Sequence, residues 1–143
     1  MELSRYPPLP FGTLITDRWT QEFWSACQRH QLRVPYCSDC GLQRMPPTPF
    51  CPSCLGRKLS WSDLSGHGFV FSYTVVRHAI PPAVEDQIPY VPAVIALQGC
   101  PDIKLISAIV DSDIERVCIG AEVSVVWRAD TAGQALPFFE LNQ

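Results

Sequence analysis

The chain has 143 residues, enough for one ordinary domain or two small ones, and its 47% hydrophobic and 17% charged content excludes a disordered polymer. No apolar run is long enough to span a bilayer, and Met1 to Pro10 lacks the apolar core of a secretory signal. The net charge of −3 is uneven: residues 1–67 carry 7 basic and 5 acidic side chains (+2), residues 68–143 carry 4 and 9 (−5). A second half of that sign disfavours phosphate-binding partners such as nucleic acid.

Proline is the compositional outlier, 14 residues where about half as many are usual. Most punctuate loops, which predicts many turns and little helix. Met1 to Thr16 is proline-rich and irregular, an arm on the protein's own body or on a partner. From Thr16 to His30, Trp19, Phe23, Trp24 and Cys27 recur at helical spacing, so a short amphipathic helix is predicted there. Thr16, Asp17 or Thr20 are candidate caps, and Arg29 and His30 suit the negative end of the dipole. Its tryptophans fit a cover over a small domain, or a docking face for another protein.

Leu32 to Tyr36 reads as a strand entering Cys37-Ser-Asp-Cys40-Gly41. Ten residues from Gly41 to Phe50 separate this pair from Cys51-Pro-Ser-Cys54-Leu-Gly56. Each Cys-x-x-Cys pair can wrap one metal ion with two thiolates on a tight turn, and a nearby Gly lets the backbone adopt positive φ and aim N–H groups at sulfur. Cys37, Cys40, Cys51 and Cys54 are therefore the candidate ligands of one tetrahedral metal. Four soft thiolates favour zinc, with iron second. Four closed ligands imply a structural metal with no open position for catalysis. The competing reading is four buried or disulfide-bonded cysteines. Seven cysteines without a secretory leader fit a reducing cytoplasm.

Lys58 to Leu64 is expected to leave the ribbon as a strand, with a turn at Ser65 to Gly68. Phe69 to His78 alternates, with Phe69, Phe71, Tyr73 and Val75 on one face and Val70, Ser72, Thr74 and Val76 on the other. Ala79 to Tyr90 is a long proline-rich loop. Val91 to Gln98 and Ile103 to Val110 make a hairpin across Gly99 to Asp102. Asp111 to Gly120 is a short helical or turn connection with Ile114 and Val117 inward, and Glu122 to Arg128 and Leu136 to Leu141 complete five strands. Five strands with one helical turn between the third and fourth predict a Greek-key OB barrel. The fold class is thus mainly β, a short helix and zinc ribbon followed by a five-stranded barrel. The expected units are residues 1–30 (arm and helix), 31–64 (rubredoxin-like ribbon) and 65–143 (barrel).

The whole chain resembles the zinc-ribbon/OB-fold family called domain of unknown function 35. The resemblance rests on Phe23-Trp24, the Leu32 strand before Cys37 and Cys40-Gly41, and Pro46-Pro47 before Cys51-Pro52 and Cys54. It continues through Leu64-Ser-Gly66 and Gly68, Tyr73 to Val76, Pro89-Tyr90, Ile119-Gly120 with Val123, and Leu136-Pro137 with Phe139. It implies a non-catalytic accessory subunit that supports a thiolase-fold enzyme acting on acyl-CoA: an acyltransferase, a thiolase or a steroid side-chain aldolase. It also implies help in holding the CoA moiety, on residues that no transferable motif identifies.

Catalytic residues are none: there is no nucleophile elbow or comparable signature. His67 reads as a turn residue, His30 and His78 as solvated ends, and Cys27, Cys100 and Cys118 as buried small hydrophobes. Asp111, Asp113 and Glu115 read as a solvated connection. The Phe69, Phe71, Tyr73 row fits a packed barrel face or, in an alternative function, a stacking platform for single-stranded nucleic acid. Arg29, Arg33, Arg44, Arg57 and Lys58 form a modest basic patch suited to a phosphate or to solvent. A third alternative is an iron redox protein.

Overall fold

The computed structural model describes residues 1–9, 14–80, 82–100 and 102–143. Pro10 of the arm, Pro81 of the proline-rich loop and Pro101 of the hairpin turn lie outside them. Helix α1 (Gln21–Gln28) is followed by β1 (Leu32–Cys37), β2 (Leu59–Leu64), β3 (His67–Tyr73), β4 (Val91–Leu97), β5 (Lys104–Ile109), β6 (Glu122–Ala129) and β7 (Ala135–Leu141). β1 and β2 pair antiparallel, Leu32 opposite Leu64 and Cys37 opposite Leu59. The other five strands close into a barrel in the order β3-β4-β5-β7-β6, with β6 returning to β3. A single 3-10 turn, Ile114–Arg116, joins the third and fourth barrel strands. Ile114 and Val117 point into the core as expected. This is the OB topology read from the strand count.

α1 is shorter than the predicted Thr16–His30 because Asp17 folds the chain ahead of it. Its carboxylate accepts the N–H of Trp19 (2.9 Å) and Thr20 (2.8 Å) and the Thr20 hydroxyl (3.0 Å). Such local bonds compete with the helix ladder. Trp19 therefore precedes the helix, with the Arg18 guanidinium 4.6 Å above its ring, and Phe23, Ala26 and Cys27 form the buried face. At the other end Arg29 pairs with Glu22 at 3.3 Å instead of sitting in the last turn. His30 adopts φ 56° and stacks on Trp127 with ring centroids 5.4 Å apart.

One apolar cluster joins helix, ribbon and barrel. Phe23 and Cys27 of α1 and Leu32 and Val34 of β1 meet Ile95 and Phe139 of the barrel. Each fully buried aliphatic or aromatic side chain contributes about 1.5–3 kcal/mol, so the small two-stranded sheet borrows its core from its neighbours. Burial also pushes the Cys27 thiol up to about 12. Cys100 is buried as expected, but Cys118 is exposed. The first residues lie on the protein's own body: Ser4 N–H donates to the Ser112 carbonyl at 2.8 Å, and Tyr6 meets Phe138 edge-on at 5.2 Å. The proline-rich loop holds a 3-10 helix, Pro82–Gln87.

β3 corrects the expected packing of its aromatic row. Gly68 and Val70 are buried, while Phe69, Phe71 and Tyr73 stand on the outside, 45%, 56% and 36% exposed. A bulge between Val70 and Ser72 shifts the register against β4, which ends the simple alternation. Lys104 reaches to 5.0 Å from the Phe71 ring.

Candidate metal centre

The first knuckle leaves β1 and turns back at once. Gly41 N–H donates to the Cys37 carbonyl (2.8 Å), Cys37 N–H to the Leu42 carbonyl (2.8 Å), and Gly41 takes φ 79°. Only the left-handed region closes the turn so tightly, and Gly enters it without steric cost. The second knuckle repeats the bonds: Leu55 N–H to the Cys51 carbonyl (2.9 Å) and Cys51 N–H to the Gly56 carbonyl (2.8 Å). Here the positive φ, 62°, falls on Leu55 and not on the expected glycine. Gly56 serves another purpose. Its N–H points at Cys54 Sγ (3.4 Å), and a Cβ would lie 3.2 Å from that sulfur and collide with Asp39 Oδ2.

The two knuckles bring the Sγ atoms of Cys37, Cys40, Cys51 and Cys54 within 4.8 Å of one another. Cys37–Cys54 and Cys40–Cys51 are each 3.5 Å apart. A tetrahedral ion with metal–sulfur distances of about 2.3 Å has sulfur–sulfur edges of about 3.8 Å, so the donor set and its spacing fit one such ion. All four cysteines are free thiols in this structure. Cys37 and Cys51 are buried, Cys40 and Cys54 exposed. The Cys40 N–H draws the Cys37 thiol down to about 6, helped by the Asp39 N–H and the Cys54 thiol. Cys54 feels the Gly56 N–H, yet the crowding thiols of Cys37 and Cys40 push it up to about 12. Backbone dipoles aimed at sulfur favour thiolate and hence a cation.

The remaining candidates separate in space. The expected basic patch is partly neutralised: Arg33 lies 2.6 Å from both Glu22 and Asp63 and Arg29 3.3 Å from Glu22, while Arg57 stays exposed 5.0 Å over the Phe50 ring. Arg44 is 7% exposed and donates through Nη2 to the Thr48 carbonyl (3.1 Å), with no partner for Nε and Nη1 among the described residues. His67 belongs to β3 and not to a turn. Its Nδ1 lies 2.9 Å from Ser124 Oγ, which is 2.6 Å from Asn142 Oδ1. Sequence spacing gave no sign of this hydrogen-bond relay, because it joins β3, β6 and the residue that follows β7. Asp113 accepts the Glu115 N–H (3.2 Å) at the start of its 3-10 turn, a capping role.

Among the described residues no helix is long and apolar enough to cross a membrane. Residues 24–60 match the family model described as the ChsH2 rubredoxin-like zinc ribbon domain, and residues 61–128 match that of the ChsH2 C-terminal OB-fold domain. A DUF35 domain-containing scaffold protein of Methanocaldococcus jannaschii is 36% identical over 80% of this chain and 81% of its own. The alpha subunit of 3-oxo-4,17-pregnadiene-20-carboxyl-CoA hydratase from Mycobacterium tuberculosis is 30% identical over 78% of this chain, which spans 34% of that longer protein. A chain of the Ltp2-ChsH2(DUF35) aldolase structure superposes with a TM-score of 0.80 at 28% identity, covering 90% of this chain and 98% of the other. Ribbon, barrel and these matches together make the chain a member of the DUF35 family, the zinc-ribbon/OB-fold proteins that include ChsH2.

Proposed function

We propose that this chain is a non-catalytic accessory subunit of a thiolase-fold enzyme acting on acyl-CoA substrates. The observation that carries the reading is the match, over nearly the whole of both chains, to a component of a two-protein aldolase. A relative that is a subunit of an acyl-CoA hydratase supports the same substrate class. The four-cysteine centre fits a supporting role. Zinc bound by Cys37, Cys40, Cys51 and Cys54 would supply a fixed cross-link between two knuckles that have little apolar core of their own. Iron in the same ligands would make the protein red, so a colourless preparation with zinc by elemental analysis separates the two.

The nucleic-acid alternative draws on the exposed Phe69, Phe71 and Tyr73, which could stack bases. It is weaker, because the barrel half carries −5 and two of the ribbon half's arginines, Arg29 and Arg33, are paired with Glu22 while Arg44 is buried.

The decisive experiment is co-expression of the tagged chain with the thiolase-fold enzymes of its source organism. One of them is expected to co-purify in fixed stoichiometry and to be more soluble or more active with this chain than without it. Equal solubility and turnover of every such enzyme alone would overturn the assignment.

A further inference from the structure

The N-terminal arm and the loop between β3 and β4 are laced together. Arg5 forms a parallel bridge with Tyr90; its N–H donates to the Pro89 carbonyl (2.8 Å) and its guanidinium to the Asp86 carbonyl. Nearer the N-terminus, Arg77 Nη1 lies 2.7 Å from Glu2 Oε2. Past Arg5, the arm from Pro7 to Leu9, the loop and Arg128 of β6 enclose a cavity of about 730 Å³. That volume lies within the range of ligand sites.

The lining is of two kinds. Pro8, Leu9, Ile80 and Val84 make an apolar side, and Ile80 is 80% exposed, so the space opens to solvent beside it. Arg128, Asp86, Gln87 and His78 make a polar side. Among the described residues none of these four side chains has a hydrogen bond or an ion pair, and Arg128 and Asp86 do not pair with each other. Arg128 is held in place all the same. Its guanidinium lies 4.4 Å over the Tyr6 ring, and Tyr6 in turn meets Phe138 edge-on. Stacking occupies the face of the guanidinium and leaves its N–H edge without an acceptor. That planar fork matches a carboxylate through two parallel bonds.

The other polar groups narrow the ligand further. The Asp86 carboxylate and the Gln87 side-chain carbonyl are acceptors. A simple hydrocarbon acid has no N–H for them and brings a second negative charge into the space that Asp86 lines. A peptide end offers a terminal carboxylate to Arg128, backbone N–H groups to Asp86 and Gln87, and apolar side chains to Leu9, Ile80 and Val84.

We propose that this cavity between the arm and the β3–β4 loop holds the carboxy-terminal end of a partner protein whose last residues are apolar, with its carboxylate on Arg128. The proposal goes beyond the accessory role above and does not depend on which enzyme the chain supports.

The test titrates the full metal-loaded chain by calorimetry with three probes. They are acetyl-Ala-Leu-Leu with a free carboxylate, the same peptide as its carboxamide, and 3-phenylpropanoate. The free-carboxylate peptide is expected to bind at least about tenfold more tightly than either of the others. Arg128→Gln is expected to remove that preference for carboxylate over carboxamide, and Arg128→Lys, which keeps the charge but not the fork, to restore only part of it. Ile80→Asp, at an exposed position that does not disturb the fold, is expected to weaken the peptide at least about tenfold by placing a charge on the apolar side. Ile119→Asp, also exposed but outside the cavity, is expected to leave binding unchanged. No binding of the peptide, equal binding of acid and carboxamide, 3-phenylpropanoate binding as tightly as the peptide, or identical behaviour of the two aspartate variants would each overturn the proposal.

Discussion

Gly56 of the second knuckle faces the Asp39 carboxylate of the first so closely that a Cβ there would collide with Asp39 Oδ2. The two loops are thus matched in shape at the point where their sulfurs meet. Gly56→Ala must displace either Asp39, which can swing outward, or Cys54 Sγ, which would lie only 3.2 Å from the new methyl. Because Asp39 is exposed and can turn away, the cost lies at the low end of overpacking, about 1 kcal/mol. The variant is expected to release metal to a competing chelator about tenfold more readily, and Asp39→Ala in the same chain to restore part of the loss. Unchanged chelator competition in Gly56→Ala would show that the contact is slack.

Cys40→Ser removes one of the two exposed thiols from the four-sulfur cluster. The protein as isolated is expected to hold one zinc per chain and the variant almost none, with the knuckles losing order because bound metal supplies their folding energy. The barrel should survive, since Leu32 and Val34 of β1 are anchored in the shared core and not in the metal site. Elemental analysis and amide exchange check both halves of this expectation. Metal-free wild-type protein with ordered knuckles would contradict it.

Glu22 of α1 contributes a pH dependence on the acid side. Its hydrogen bond to Arg33, with help from Arg29, holds the carboxyl below its usual value of 4.5. A depressed folded pKa contributes stability above the unfolded value and loses it as pH falls through the folded one. The Glu22 side chain is 37% exposed, so solvent screening limits the pair to about 0.2–1 kcal/mol. Glu22→Gln is expected to be slightly less stable at pH 7 and to show a flatter decline between about pH 5 and 3. Denaturant midpoints across that range measure it, and parallel curves for the two proteins would exclude the mechanism.

The outward aromatics bear on the nucleic-acid alternative. A single-stranded 15-mer is expected to bind no tighter than about 10⁻⁴ M at physiological salt, the weak end of non-specific association. Phe71→Ala should leave even that unchanged, because the −5 charge of the barrel half outweighs Lys104 beside the ring and disfavours the phosphate backbone. Tight, salt-sensitive binding that Phe71→Ala abolishes would favour the alternative and count against the accessory role.

The four-cysteine cluster was legible in the sequence because its information is local. Cys-x-x-Cys fixes two thiols on one turn, and a ten-residue return is enough to bring the second pair to the first. Strand number and the 3-10 turn between the third and fourth barrel strands were legible for the same reason, since a period of two and turn residues act over a few positions. Which face of β3 turns inward was not. Both faces carry apolar residues, and only the small interior of a five-stranded barrel selects Gly68 and Val70 over three aromatics; Gly68 packs so close to the Ala96 carbonyl that a Cβ would not fit. The start of α1 was decided by Asp17, whose side chain bonds offered the backbone an alternative to helix. Leu55, and not Gly56, took the positive φ, and Gly56 stands where Asp39 approaches. The apolar cavity between β5 and β7, lined by Phe23, Leu105 and Phe138, had no trace in the sequence, because the two strands, distant in the chain, pair at the single register point Ile109–Phe139.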